Sequence, residues 1–244
     1  MNNKLILVVV LLFISEIAIV SAVTRSIGGT YHTSDQVYTI LKDMSASHPG
    51  MMGYEVIGKS IQGKDILMFM AGNLALCDPN KQGKFMFDGR VHGPEDCGTE
   101  NGIEFIRWAL DSNDADAIRV RNNNCLLFIP IINIDSTKRQ NMRRTYTAEE
   151  GGPLNVPYGV DLNRNAPTGF GQSGNSSPLN NYEYRGISAG SEPETKAYMN
   201  AMNKYKPNVY MNVHCGMQML QYRQNTATTQ KIIGLITNIS NARG

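Results

Sequence analysis

The ten residues from Cys125 to Ile134 are almost entirely apolar and rich in β-branched side chains, interrupted only by Pro130 and Asn133. A run of this kind has no polar face. It suits a strand covered on both sides, which requires a sheet with a layer packed against each surface. The remaining elements fit that demand. Val37, Ile40, Leu41 and Met44 recur at helical spacing between Thr33 and Ser47, and His48-Pro49-Gly50 ends the stretch. Residues 54–58, 65–71 and Lys84 to Asp88 read as short strands around loops at Ser60–Lys64 and Pro79-Asn80. Ile103, Ile106 and Leu110 mark a second helix from Thr99. Ser191 with Glu194 has the pattern of a capping box opening a third, whose expected core face is Tyr198, Met199, Met202 and Tyr205. Asn208 to His214 alternates like a strand, and Ile232, Leu235, Ile236 and Ile239 mark a last helix. Strands separated by helices and long crossovers predict a three-layer α/β/α sandwich around a mixed, mostly parallel sheet.

Charge and length narrow the class of protein. The 23 Lys and Arg residues against 21 Asp and Glu leave a net charge of +2, blended along the chain, without the basic stripe of a nucleic-acid binder. Lys4, the unbroken apolar run Leu5 to Ile14 and the small-residue ending Val20-Ser21-Ala22 read as a secretory signal over 1–22. Ser15 and Glu16 interrupt the run too early for a membrane-spanning helix, which needs about 20 apolar residues. A short segment, 23–30, then leads into a single domain over 31–244, with no repeat or internal boundary. The chain beyond residue 22, about 220 residues, can bury roughly 70% of its unfolded surface and needs no disulfide framework. Cys77, Cys97, Cys125 and Cys215 allow three pairings or four buried thiols.

Four histidines are present. His32 and His48 flank the first helix and read as surface or capping residues. His92 precedes Glu95 by three positions, so one turn can aim both side chains at one point. Zinc accepts imidazole nitrogen and carboxylate oxygen at about 2.0–2.2 Å, and a catalytic site takes three protein ligands. His214, at the exit of a predicted strand, supplies the third, in the position where open α/β sheets place their crevices. The loop between Ser136 and Gly190 carries Arg143-Arg144 and the stretch Asp161-Leu162-Asn163-Arg164, cations and amides suited to an anionic group.

These motifs, with Ile57-Gly58-Lys59-Ser60, Gly63-Lys64, His92-Gly93-Pro94-Glu95, Ser191 to Thr195 and Asn212-Val213-His214, resemble the zinc carboxypeptidases of the carboxypeptidase A type from about Tyr31 to Gln221. The resemblance implies one zinc ion per chain on His92, Glu95 and His214, with Asp161 orienting His92. It implies that Asn163 and Arg164 hold the substrate's terminal carboxylate and that Arg143 polarises the scissile carbonyl, with Arg144 as the alternative in an adjacent register. The implied protein is a secreted, monomeric peptidase acting on peptide and protein C-termini, with neither nucleic acid nor membrane as partner.

Departures from the family pattern bear on activity. The family's general base, mobile tyrosine and specificity pocket lie downstream of the last ligand histidine, and residues 215–244 contain no Asp or Glu. The sheet is therefore expected to lack its final strands here, and this chain by itself to be inactive. Pro94 stands where many family members have an arginine, and segment 23–30 is too brief for the folded pro-segment of digestive members.

Rival readings are weaker. Gly186-Ile187-Ser188-Ala189-Gly190 matches the serine-hydrolase elbow, but polar residues precede it where a buried strand is required. The His-x-Glu and Pro-Cys-x-x-Cys signature of a zinc deaminase is absent from the sequence. A zinc acylase acting on N-acyl amino acids and a noncatalytic zinc- and peptide-binding module on the same scaffold are the remaining alternatives. Asn175-Ser176-Ser177 and Asn238-Ile239-Ser240 fit the glycosylation sequon.

Overall fold

In the computed structural model, residues 31–136, 159–172 and 183–215 are described. The expected leader 1–22, segment 23–30, Arg143, Arg144, both sequons and the expected last helix at 232–239 lie outside them.

The first helix, α1 (Ser34–Ser47), starts where its sequence says it should. Thr33 accepts from the Gln36 amide and donates its own amide to the Gln36 side chain, satisfying two helix-start donors reciprocally. Val37, Leu41 and Met44 are buried. His48 ends the helix, its Nδ1 2.9 Å from the Met44 carbonyl and its Nε2 2.8 Å from Asp111.

β1 (Met52–Lys59) and β2 (Asp65–Gly72) form an antiparallel hairpin. Its turn is closed by Ser60 N to Lys64 O at 2.8 Å, with Gly63 at φ 77°, where a side chain would strain the backbone. A 3-10 turn (Leu74–Cys77) leads towards β3 (Lys84–Asp88), followed by α2 (Cys97–Asp111), α3 (Ala115–Asn123) and β4 (Cys125–Ile129). Then come a short helix α4 (Leu162–Asn165), α5 (Pro193–Tyr205) and β5 (Val209–Asn212). The strand order is β1-β2-β4-β3-β5. β2 pairs antiparallel with β1 and β4, while β3 pairs parallel with β4 and β5. The expected mixed sheet is present; among the described strands two ladders are parallel and two antiparallel, both of the latter made by β2 of the opening hairpin.

Helices cover both faces. Phe87 stacks on Phe128 at 4.6 Å between ring centroids, and Phe105 of α2 meets Phe87 edge-on at 5.5 Å. A Cβ on Gly102 would lie 2.2 Å from the Phe128 ring, so α2 rests directly on it. α1 lies on this same face, with Tyr38 against Phe69, and α3 packs beside α2. On the opposite face α5 sits close to the hairpin. Gly58 leaves room for Ala197, whose Cβ is 2.6 Å from where a Gly58 Cβ would be, and Lys204 pairs with Glu55 at 2.7 Å.

Three local expectations are corrected, and one helix, α3, has no counterpart among them. The apolar run from Cys125 is a strand only to Ile129, because Pro130 has no N–H for a ladder; Ile131, Ile132 and Ile134 remain buried as loop residues. Ser191 does not cap α5: Glu192 is the N-cap and Pro193 opens the helix, while the Ser191 hydroxyl is engaged with Glu192 and Asn165. The buried face of α5 is Ala197, Ala201 and Tyr205, with Tyr198 and Met202 flanking it, since small residues allow the close approach at Gly58. α3 has no apolar stripe to announce it; only Ala117 and Val120 are buried, and Asp114 caps it through the Asp116 amide at 2.7 Å. The cysteines are paired as Cys77–Cys125 and Cys97–Cys215, so none is free. Among the described residues, no helix is long and apolar enough to cross a membrane.

Candidate metal centre

The carboxyl ends of β3 and β5 lie side by side, because the parallel ladder pairs Asp88 with Asn212. Each strand exit delivers part of one cluster. Beyond β3 the chain turns sharply: Gly89 packs against α2, where a Cβ would be 2.6 Å from the Thr99 amide, and Arg90 takes a left-handed φ of 52°. The following turn, closed by Glu95 N to His92 O at 3.1 Å, presents His92 and Glu95 together, both buried. Two residues beyond β5, His214 faces them.

Glu95 bridges the two imidazoles. Its Oε1 is 2.8 Å from His92 Nδ1, and its Oε2 is 2.8 Å from His214 Nδ1. One ligand atom from each of the three residues lies within 4.8 Å of the others. The opposite ring nitrogens have partners of their own. His92 Nε2 is 3.1 Å from Asp161 Oδ1, and His214 Nε2 is bonded to Asn212 Oδ1. Asn212 in turn donates to Asp88 at 2.6 Å, and the Tyr210 hydroxyl donates to the other Asp88 oxygen.

This donor set fits a zinc ion. Ligating histidines characteristically donate the N–H away from the metal to a carboxylate or carbonyl oxygen, leaving the other nitrogen free. Here Nε2 of both rings meets an oxygen, and both Nδ1 atoms point to the common centre. Two nitrogens and a carboxylate are an accepted zinc ligand set that leaves a fourth position open.

The electrostatics follow from the crowding. Burial opposes a charge on His92, but hydrogen bonds to Asp161 and Glu95 and their negative charges outweigh it and raise its pKa to about 9. Burial opposes the charge on Glu95 as well, and the two histidines overcome it, holding the carboxyl at about 2. Asp88 is enclosed completely, which lifts its carboxyl to about 7 despite the bonds from Tyr210 and Asn212.

Asp161 links the centre to α4. It is fully buried, and the oxygen that meets His92 also accepts the Asn163 amide at 3.0 Å as the helix N-cap. Arg164 therefore projects beside the centre, with Nη1 4.0 Å from Asp161 and Nη2 2.8 Å from Glu183. Asn163 is exposed next to it. Arg143 and Arg144 lie outside the described residues. His32, bonded to Glu100 at 2.8 Å, and His48 take no part. Among the described residues, 183–192 around the Gly186–Gly190 segment contain no strand, and the Ser188 carbonyl accepts from Asn165.

Several supporting residues carry no signal of their own in the sequence. Arg90 donates through Nε to the Gly93 carbonyl at 3.3 Å and pairs with Asp96 at 2.9 Å, gripping the turn that bears two of the three grouped side chains. Asn165, fully buried, holds the Arg185 and Ser188 carbonyls and the Ser191 hydroxyl, and its side-chain oxygen accepts the Glu192 amide. The Asp88–Asn212 contact rests on strand pairing, and its only trace in the sequence is that both polar residues sit at the ends of apolar strands.

Comparison with known proteins identifies the family and the fold. The family described as zinc carboxypeptidase matches residues 37–237. Carboxypeptidase A1 of Sus scrofa is 29% identical over 202 residues, covering 79% of this chain and 46% of that protein. Its Homo sapiens counterpart is 29% identical over 204 residues, with the same coverage of 79% and 46%. The chain thus spans about half the length of the curated relatives it matches. Among solved structures, carboxypeptidase A from Helicoverpa armigera superposes with a TM-score of 0.67 at 22% identity, covering 81% of this chain and 49% of that one. Thrombin activatable fibrinolysis inhibitor superposes with a TM-score of 0.70 at 18% identity, covering 83% and 53%. Both share the fold. With the family match extending over most of its length, this chain belongs to the zinc carboxypeptidase family.

Proposed function

We propose that the full-length protein is a secreted zinc-dependent carboxypeptidase that removes C-terminal residues from peptides and proteins. The observation that carries this reading is the bridging of His92 and His214 by one carboxylate, Glu95, with an oxygen behind each imidazole. His92, Glu95 and His214 would hold one zinc ion. When bound, zinc supplies a Lewis acid and lowers the pKa of a coordinated water to about 7.

The other residues set what is cleaved. An exopeptidase needs a cation at a fixed distance from the reacting bond to recognise a free chain end, and guanidinium does this through paired hydrogen bonds to a carboxylate. Arg164 is partly exposed, and the cap at Asp161 ties its backbone to the same carboxylate that meets His92. Its present partner, Glu183, is half-buried at the surface, so a substrate carboxylate can take that place. Asn163 adds an amide donor. Arg143, or Arg144 in the adjacent register, polarises the scissile carbonyl. Asp161 fixes the His92 tautomer. Export is supported by the leader-like 1–22 and by the two disulfides, which persist in oxidising compartments. The protein acts as a monomer.

The test uses the full-length protein with paired peptides that differ only in a free or amidated C-terminus, products being read by mass spectrometry. Stepwise loss of terminal residues from the free acid alone, abolished by a chelator and restored by zinc, is expected. His92→Ala combined with Glu95→Ala loses both zinc and activity. Equal cleavage of the amidated peptide, or stoichiometric zinc retained by the double variant, overturns the proposal.

A further inference from the structure

We infer that the Cys97–Cys215 disulfide is a clasp that positions the metal centre, so that the affinity of the centre for zinc depends on whether this bond is closed. The inference rests on the reading of His92, Glu95 and His214 as a zinc site and adds a positioning element to it. Cys97 follows Glu95 by two residues, and Cys215 follows His214 by one. The bond therefore joins the two separate pieces of chain that carry the cluster.

The backbone explains why such a bond matters at this place. The β3–β5 ladder ends with Asp88 and Asn212, so Val213, His214 and Cys215 continue beyond it. His214 is bonded to Glu95 and Asn212. A zinc ion held by His92, Glu95 and His214 would take the place of the Glu95–His214 contact. The covalent tether persists through that exchange. It is reinforced locally, since the Cys97 amide points to Cys215 Sγ at 3.1 Å. Gly98 lets the first turn of α2 lie against this segment, because a Cβ there would already be 3.0 Å from Val213 Cβ.

Preorganisation of this kind raises affinity by removing the entropy cost of ordering a segment on binding. Outer residues that orient metal ligands typically contribute 10- to 100-fold in metal affinity, and an effect of about tenfold is expected for the clasp. The second disulfide provides an internal contrast. Cys125 pairs with Lys84 at the start of the parallel ladder, so Cys77–Cys125 closes the opposite end of the sheet.

Two measurements on the full-length protein test the clasp. In the first, zinc dissociation constants are obtained by chelator competition for wild type, for Cys97→Ala with Cys215→Ala, and for Cys77→Ala with Cys125→Ala. Weakening by about tenfold in the first pair and none in the second is expected. No change in either, or equal weakening in both, overturns the clasp. The second measurement needs no variant and decides the matter if the first pair fails to fold. A dithiol reductant gives two electrons and two protons to each disulfide, is itself oxidised, and leaves two thiols that alkylation and mass spectrometry assign by position. Because coupling between two equilibria is reciprocal, zinc should raise the reductant needed to open Cys97–Cys215 by the same factor, and leave Cys77–Cys125 unaffected. Protection of neither bond, or of both alike, overturns the inference. Wild type that binds zinc at one per chain without this coupling defeats the clasp alone; wild type that binds none defeats the zinc site as well.

Discussion

Asp161 Oδ1 lies 3.1 Å from His92 Nε2 and, with the same oxygen, accepts the amide of Asn163 that starts α4. One atom thus orients an imidazole and caps the helix that displays Arg164. The two roles separate by mutation. Asp161→Asn keeps a good N-cap, so thermal stability should change little. A neutral amide no longer supports the imidazole as a carboxylate does, and zinc affinity should fall about 10- to 100-fold. Asp161→Ala should lose the cap as well, costing a further ~1 kcal/mol in denaturant unfolding. Unchanged zinc affinity in Asp161→Asn would show that this contact does not tune the imidazole.

The pH response of the metal-free protein has a definite sign. His92 is raised from 6.5 to about 9 on folding, so its contribution to stability is complete below 6.5 and disappears as pH rises through about 9. Glu95 is lowered from 4.5 to about 2, so its contribution is complete above 4.5 and is lost as pH falls through about 2. The combined contribution of the pair should be largest between those ordinary values, in weakly acidic solution. Zinc behaves oppositely, because it competes with the His92 proton: its affinity should rise by roughly tenfold per pH unit up to about 9. Urea titrations of chelated protein and zinc competition assays across pH check both trends.

Arg90 and Asp96 form a pair whose side chains are 6% and 10% exposed. Removing one member of a buried pair leaves the other uncompensated, and Arg90→Met should destabilise by about 3–5 kcal/mol. Lys59→Met, which breaks the exposed pair with Asp65, should cost at most about 1 kcal/mol. Because the guanidinium also holds the Gly93 carbonyl, zinc affinity should fall in the Arg90 variant and not in the Lys59 variant. Denaturant unfolding and chelator competition distinguish the two.

Gly102 tests the packing of α2 on the sheet. Alanine favours a helix over glycine by about 1 kcal/mol, yet its Cβ would enter the Phe128 ring at 2.2 Å. Overpacking should prevail, and Gly102→Ala should be destabilised by about 1–3 kcal/mol. A raised Tm would mean that the ring can move aside without penalty.

Much of the framework was legible because its signals are local. The apolar stripe of α1 lies within two turns, the apolar run at Cys125 states that its strand is covered on both faces, and His92 and Glu95 share one turn. Where the signal was ambiguous, context prevailed: Ser191 and Glu194 have the spacing of a cap, but Asn165 engages the serine and Ile61 donates its amide to the glutamate. α3 is not legible in the sequence, because its two buried residues make no stripe. Asp161 is implied as the partner of His92 by the family resemblance alone, since nothing in its spacing from His92 identifies a partner.

The amino-acid sequence by itself determined the layered α/β architecture and the presence of a His-x-x-Glu turn, since helical and strand periodicity and contacts between residues three or four apart are local properties of the chain. Tertiary structure alone decided which cysteines pair, which nitrogens of His92 and His214 face Glu95, and which side chains stand behind them. The reason is strand order: only after β5 has docked parallel to β3 do residues far apart in the chain come within bonding distance, and no local pattern encodes that adjacency.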